Sequence, residues 1–255
     1  MSSRRPLAPA KRRTLGDEVA ERLRDAILSG EFAAGEHLRE DSLAQMLEVS
    51  RGPIREALGV LEREGLVTLT RHHGATVVEL SREDLEEVYS LRIVLETLAT
   101  RFAVKRATDA DFDRLAGALT EFTDALSGLP TERQAAELDV QFHDALYQAA
   151  HHTRLYVSWS GIRLQVYRFL LTRNLANSDW RENMAQGHTE ILDVLRSRDE
   201  DAAVSVVVRH IQFAYRRVLE SFVPDRGAEE LLAVAGLSVI DEAGAKPARR
   251  TVRSR

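Results

Sequence analysis

The chain has 255 residues, 44% hydrophobic and 29% charged, with a formal net charge of -5 and no cysteine. That length accommodates two domains with cores of their own, and the negative balance means that any nucleic-acid contact must come from a local basic patch. The lack of cysteine excludes disulfides and thiolate metal sites and fits a cytoplasmic protein; no apolar run reaches the ~20 residues of a membrane helix, so no membrane partner is expected.

Residues 1–13 are basic and lack the apolar stretch of a signal peptide, so they read as a disordered arm that aids solubility or attracts phosphate. From Leu15 to Ser29 a helix is expected, with Leu15, Val19, Leu23, Ala26 and Ile27 on one face. Gly30 and Gly35 bracket a loop, and Asp41–Leu47 forms a short second helix with Leu43, Ala44 and Leu47 inward. Ser50 is a good N-cap and Pro53 suits the first turn of a third helix, which runs to about Glu64 on Ile54, Ala57, Leu58 and Leu61 and is stopped by Gly65. Two β-branched runs, "LVTLT" and "ATVVEL", then flank "RHHG", which signals a hairpin. This order over residues 14–80 is that of a winged helix-turn-helix.

After Leu80 the strand signals stop. Ser81 with Asp84, and Thr108 with Asp111, open helices to about Arg106 and Ser127, and "GLP" at 128–130 breaks the chain. Further helices are expected at about 131–151, 154–176, 180–198 and 200–223. The chain is thus mainly α, with an antiparallel bundle of six to seven helices over residues 81–224. "EELLAVAGLSVI" is a candidate short helix within a largely disordered tail, residues 225–255.

The stretch "VSRGPIREALGVLEREGLV" carries the sharpest local signal. Arg51 and Arg55 stand four apart at the start of the third helix, where N-terminal side chains of a helix in the major groove reach bases and phosphates. Arginine suits both contacts through its bidentate fork. Ser50 and Gly52 are small enough for close backbone approach, Arg39 precedes the second helix, and Arg71, His73 and Gly74 form the wing tip. The plainer alternative pairs Arg55 with Glu56 or Glu62, and Arg39 with a nearby acid.

In the bundle, Asp139 and His143 lie one turn apart beside Phe142, Leu146 and Ala149. His188 falls among Met184, Ile191, Leu192 and Leu195, and His210 among Ala203, Val206, Val207 and Ala214. One carboxylate and three imidazoles facing one interior suit a divalent transition metal such as Zn, Ni or Mn. The alternative is a set of hydrogen-bonded core histidines. His37, His72, His73, His151 and His152 read as surface. Arg92, on the face of Val88, Leu95, Ala99 and Ala103, demands an anion: either Glu96 one turn on or a small-molecule carboxylate. Arg173 and Asn174 are weaker candidates for the same ligand. No catalytic motif appears.

"GEHLREDSLAQMLEVSRGPIREALGVLEREGLV" with "HHGATV" resembles the winged helix-turn-helix of the GntR superfamily of bacterial regulators, although Gly52 and His73 stand where the family often has Thr and Arg. "DVQFH", "QGHTEIL" and "VVRHI" resemble the metal-holding FCD domain of the FadR subfamily at Asp139, His143, His188 and His210. The resemblance covers roughly residues 15–222. It implies a homodimeric regulator of a palindromic operator in double-stranded DNA, in most relatives a repressor, controlled by a small organic acid held by metal and arginine. Two rivals remain at this point: a regulator for which the metal is itself the effector, and a metalloenzyme fused to a DNA-binding domain.

Overall fold

The computed structural model describes residues 14–70, 74–128, 130–176 and 180–222, with backbone alone for 176 and 180–186. The basic arm, Arg71, His72, His73 and the tail from 225 on lie outside the described residues. The chain divides into two compact units, residues 1–79 and 80–255.

In the first unit, α1 (Leu15–Ser29) is opened by a Thr14–Asp17 capping box and closed by Gly30 at φ 82°. It packs on α3 (Arg51–Arg63) through Val19, Ala20, Leu23 and Ile27 against Ile54, Ala57, Leu58 and Leu61. Leu15 does not join this face; at the first turn it is 51% exposed, and Gly16 is buried instead, close against Glu56. Helix α2 (Glu40–Met46) starts one residue earlier than expected and buries Leu43, while Ala44 and Leu47 are half-buried.

The wing is a three-stranded antiparallel sheet in the order β1-β3-β2: β1 (His37–Leu38), β2 (Val67–Thr70) and β3 (Gly74–Val77). The hairpin was expected; β1, two residues long, was not. His37 pairs with Thr76 and Leu38 with Ala75. Gly74 has φ 105°, and a Cβ there would collide with the backbone carbonyl of Leu38. Glycine is therefore a condition for closing β1 onto β3.

The second unit holds six helices among the described residues: α4 (Arg82–Arg106), α5 (Asp109–Ser127), α6 (Glu132–Ala149), α7 (Thr153–Ala176), α8 (Trp180–Ser197) and α9 (Glu200–Phe222). Capping boxes Ser81–Asp84, Thr108–Asp111 and Thr131–Gln134 open α4, α5 and α6. Each satisfies two helix-end donors that would otherwise lack partners. On α4 the inward face is Leu85, Val88, Tyr89, Arg92, Ile93, Glu96, Ala99, Thr100 and Ala103; Leu95 is only half-buried.

His151 is not a plain surface residue. It turns the chain at φ 47° after α6, and its Nε2 lies 2.7 Å from Asp111 Oδ2. Burial pushes the Asp111 carboxyl up, but hydrogen bonds from Thr108, His151 and Arg114 outweigh it and hold the group well below the usual carboxylate range. A depressed folded-state value gives stability that is present above the unfolded value and lost as pH falls.

Two outcomes are expected. Gly74→Ala destabilises the winged unit by about 1–3 kcal/mol, read from its denaturant midpoint. Asp111→Asn costs the helical unit about 1–2 kcal/mol at pH 7, and the difference from wild type closes as pH drops below about 4. Trp159 and Trp180 both lie in the helical unit, so tryptophan fluorescence reports that transition.

Candidate nucleic-acid interface and metal centre

The α2–turn–α3 unit presents its basic residues outward. Arg51 and Arg55 have side chains about 60% exposed. Arg51 pairs with Asp41, and Arg55 Nε donates to Glu40 Oε2 at 2.7 Å. Both partners sit in the first turn of α2, so the alternative pairing of Arg55 with Glu56 or Glu62 gives way to a link between helices. Ser50 takes the N-cap backbone conformation of α3 but makes no side-chain cap hydrogen bond. The residue is exposed and its hydroxyl is not engaged as a helix cap. Gly52 is exposed, with no heavy atom nearer than 4.0 Å to an added Cβ, so packing does not require glycine there. Arg39 is exposed at the start of α2 with no ion pair among the described residues. Gly74 is buried in the sheet.

In the bundle, Asp139, His143, His188 and His210 each offer one ligand atom, and these atoms lie within 4.8 Å of one another. Asp139, His143 and His188 are buried, and His210 is half-buried. Asp139 Oδ2 is 3.7 Å from His143 Nε2, and Asp139 Oδ1 is 3.4 Å from His188 Nε2. The imidazole centroids are 4.6 Å apart for His188 and His210 and 5.3 Å apart for His143 and His210. Phe122 and Phe142 place ring edges or faces against His188 at 5.1 and 4.8 Å, which keeps that side of the cluster apolar.

Helix phase explains the convergence. Asp139 and His143 share one face of α6 at i, i+4. His188 reaches inward from α8. His210 approaches from α9 because position 187 is glycine: a Cβ there would sit 2.6 Å from His210 Nδ1.

The electrostatics favour deprotonated ligands. Burial pushes Asp139 upward, but His188, His143 and Arg92 outweigh it and hold the carboxyl well below its ordinary range. Burial, together with the neighbouring imidazoles, pushes His210 well down; burial also pushes His143 down against the pull of Glu96. Metal ligation requires carboxylate and neutral imidazole. Asp139 Oδ2, buried, has no hydrogen-bond partner among the described residues. That orphaned oxygen, the glycine cradle and the one-oxygen, three-nitrogen donor set all fit a divalent transition ion, whose bonds of about 2.1 Å hold ligand atoms roughly 3–4 Å apart.

Arg92 joins this cluster from α4. It is fully buried; its Nε is 3.2 Å from Glu96 Oε2, and its Nη2 is 2.8 Å from His143 Nε2. Glu96 is more than the simple partner of Arg92 that the one-turn spacing suggested, because its Oε1 lies 2.6 Å from His143 Nδ1. Arg173 and Asn174 are also buried, but Asn174 is already engaged: Oδ1 accepts from Arg173 at 3.1 and 2.9 Å, and Nδ2 donates to the Glu132 carbonyl.

The gntR-family description of bacterial regulatory proteins matches residues 15–77, and the FCD domain matches residues 87–213. The chain is 32% identical over 197 residues to the Nta operon transcriptional regulator of Aminobacter aminovorans, covering 76% of this chain and 89% of the relative. The chain belongs to the GntR family. It is a DNA-binding transcription regulator of the FadR subfamily, with an N-terminal helix-turn-helix and a C-terminal FCD domain. The gluconate operon transcriptional repressor of Bacillus licheniformis is 30% identical over 197 residues, 74% of this chain and 79% of that protein. The fold matches that of E. coli McbR/YncC at a TM-score of 0.70 and 21% identity, over 83% of this chain and all of that one. In this GntR–FCD regulator the buried Asp/His cluster is consistent with an FCD metal site.

Gly187→Ala pushes His210 out of line, so zinc affinity is expected to fall on the order of tenfold, while His188→Ala removes a ligand and costs more. Competition against a chromophoric chelator measures both. An unchanged helical melt shows that the fold survives.

Proposed function

We propose that this regulator is a homodimeric repressor whose affinity for a palindromic operator is lowered by a small organic acid, held beside a divalent transition ion, Zn, Ni or Mn, in the helical unit. The observation that carries the reading is the join between the four-ligand cluster and Arg92. Arg92 Nη1 and the Tyr89 hydroxyl are buried without a hydrogen-bond partner among the described residues. Buried donors beside a cation site favour an anion with several oxygens, and a carboxylate meets a guanidinium fork well. Tyr89 belongs to this set through its place one turn before Arg92, whose guanidinium carbon lies 5.6 Å from the ring centre. The gluconate operon repressor among the relatives supports a sugar acid or hydroxy acid as the class. In the other unit, Arg39, Ser50, Arg51, Gly52 and Arg55 would contact DNA, with Arg71, His73 and Gly74 supplying the wing.

One observation favours a second reading in which the metal alone is the effector. Arg92 already has a buried counter-ion in Glu96, so the cluster is close to charge-balanced without an acid. The two readings separate on one titration. Operator binding is followed by anisotropy on a duplex selected from random sequence, with zinc alone, D-gluconate or citrate alone, and zinc with each acid. The main reading expects the acid to weaken binding about 5–150-fold only when zinc is present, and Arg92→Ala to abolish that response. An equal change with zinc alone selects the metal-sensing reading. No change under any condition, with zinc bound, removes both.

A further inference from the structure

We propose that Glu96 is a positioning residue that fixes the proton of His143 on Nδ1, so that the Nε2 lone pair is the one presented to a cation. The proposal rests on the reading of the cluster as a metal site, but its central readout does not. Glu96 is fully buried on α4 and lies between two partners. Its Oε2 accepts from Arg92 Nε at 3.2 Å; its Oε1 lies 2.6 Å from His143 Nδ1, in ion-pair contact, although neither of these two atoms makes an aligned hydrogen bond among the described residues. Arg92 closes the triangle, with Nη2 2.8 Å from His143 Nε2. A guanidinium can only donate, so Nε2 must accept. In a neutral imidazole the other nitrogen then carries the hydrogen, and here that nitrogen faces a carboxylate oxygen. The Arg92 contact selects this tautomer, and the Glu96 carboxylate stands close enough to take its hydrogen.

A carboxylate is needed for this because it offers two acceptor oxygens and no donor. One takes Arg92, and the other stands within reach of His143 Nδ1. A carboxamide has only one oxygen. In Glu96→Gln the charged donor, Arg92, claims that oxygen, and the amide NH2 is left facing Nδ1. His143 then has to offer a lone pair at Nδ1 and carry its hydrogen on Nε2, where the ligand lone pair was. Carboxylates behind metal-bound histidines play this orienting part generally. Here the same carboxylate also holds the arginine assigned to the acid. A cation and Arg92 Nη2 address one lone pair on His143, and only one of them can have it. A cation held at Nε2 would leave Arg92 Nη2 without that acceptor, while Glu96 would still hold Nε, so Arg92 would have a donor to spare for an anion.

The test uses the full chain with 15N-labelled histidine. Long-range 1H–15N correlation spectra distinguish the two tautomers, and chelator competition gives zinc affinity. Wild type is expected to show His143 protonated on Nδ1. Glu96→Gln is expected to move the hydrogen to Nε2 and to lower zinc affinity roughly 10–100-fold. The double variant R92M/E96Q removes the competing donor, frees the amide oxygen for Nδ1–H and is expected to restore the first tautomer, which a merely structural loss would not do. A wild-type His143 protonated on Nε2 overturns the proposal even if neither variant folds. So does a Glu96→Gln protein with unchanged tautomer and zinc affinity within threefold of wild type. Wild type that binds no zinc but shows the Nδ1 tautomer, lost in Glu96→Gln, removes the metal reading and leaves Glu96 as the residue that sets the tautomer.

Discussion

Asp139 is 3% exposed in the middle of a helical bundle, next to the apolar layer of Phe122 and Phe142. Removing a carboxylate from water costs several kcal/mol unless cations or donors compensate it. His188 Nε2 stands 3.4 Å from Oδ1 and Arg92 adds a longer-range field, while Oδ2 keeps no hydrogen-bond partner among the described residues. Arg92 is itself buried and needs an anion, which Glu96 supplies, and Glu96 then meets His143 on its far side. One cation thus serves two buried carboxylates: Arg92 pairs directly with Glu96 and acts at longer range on Asp139, with the neutral His143 between them. Removing one partner of the Arg92–Glu96 pair leaves a buried charge without its partner, which is far more costly than never having buried it.

That network constrains the helices that carry it. Four elements, α4, α6, α8 and α9, must hold their rotational phase for the side chains to meet. Capping boxes fix where α4 and α6 begin. At the other end, Arg198 in the α8–α9 turn donates to the carbonyls of Val104 at 2.7 Å and Ala107 at 2.6 Å, so the turn is tied to the last residues of α4 and their otherwise open acceptors. Stacking of its guanidinium over Phe112, 4.8 Å from the ring centre, brings α5 into the same junction. Gly187 sets the α8–α9 spacing where His210 needs room. Polar convergence in the core is therefore supported by backbone devices at the helix ends.

The sequence exposes those devices unevenly. The starts of α4 and α5 were readable because a Ser or Thr three residues before an acid has one dominant structural meaning; the boxes at Thr14–Asp17 and Thr131–Gln134 follow the same rule and were not read. The convergence of Asp139, His143, His188 and His210 was readable because i, i+4 spacing and apolar neighbours place polar groups inward whatever the bundle's details. The role of Glu96 was only half visible: its link to Arg92 is local, but the contact of Arg92 with His143 spans 51 positions, and no local pattern encodes it. β1 was missed because two residues carry no alternation, and its existence depends on Gly74 permitting the approach. Leu15 was misplaced because periodicity continues to the helix end, whereas the surface it would pack on does not. Pairing of Arg51 and Arg55 with α2 is likewise tertiary, since the turn between the helices decides which acids come within reach.

Those last two pairs bear on how a chain of net charge -5 binds DNA. Exposed ion pairs contribute little to stability, about 0–1 kcal/mol each. Asp41 and Glu40 therefore hold the arginine forks in position at small energetic depth, and on the proposed DNA contacts exchange for a phosphate or a guanine edge would cost little. Released counter-ions make the exchange steeply salt-dependent. The acids also have a second effect. Once Arg51 or Arg55 leaves, a carboxylate stands uncompensated close to a polyanion, so binding is favourable only where the arginine finds a partner good enough to outweigh that repulsion. Non-specific backbone contact is penalised more than a matched site. Selectivity would then come from the difference between two local pairings, with the overall charge of the protein keeping weak, indiscriminate association low.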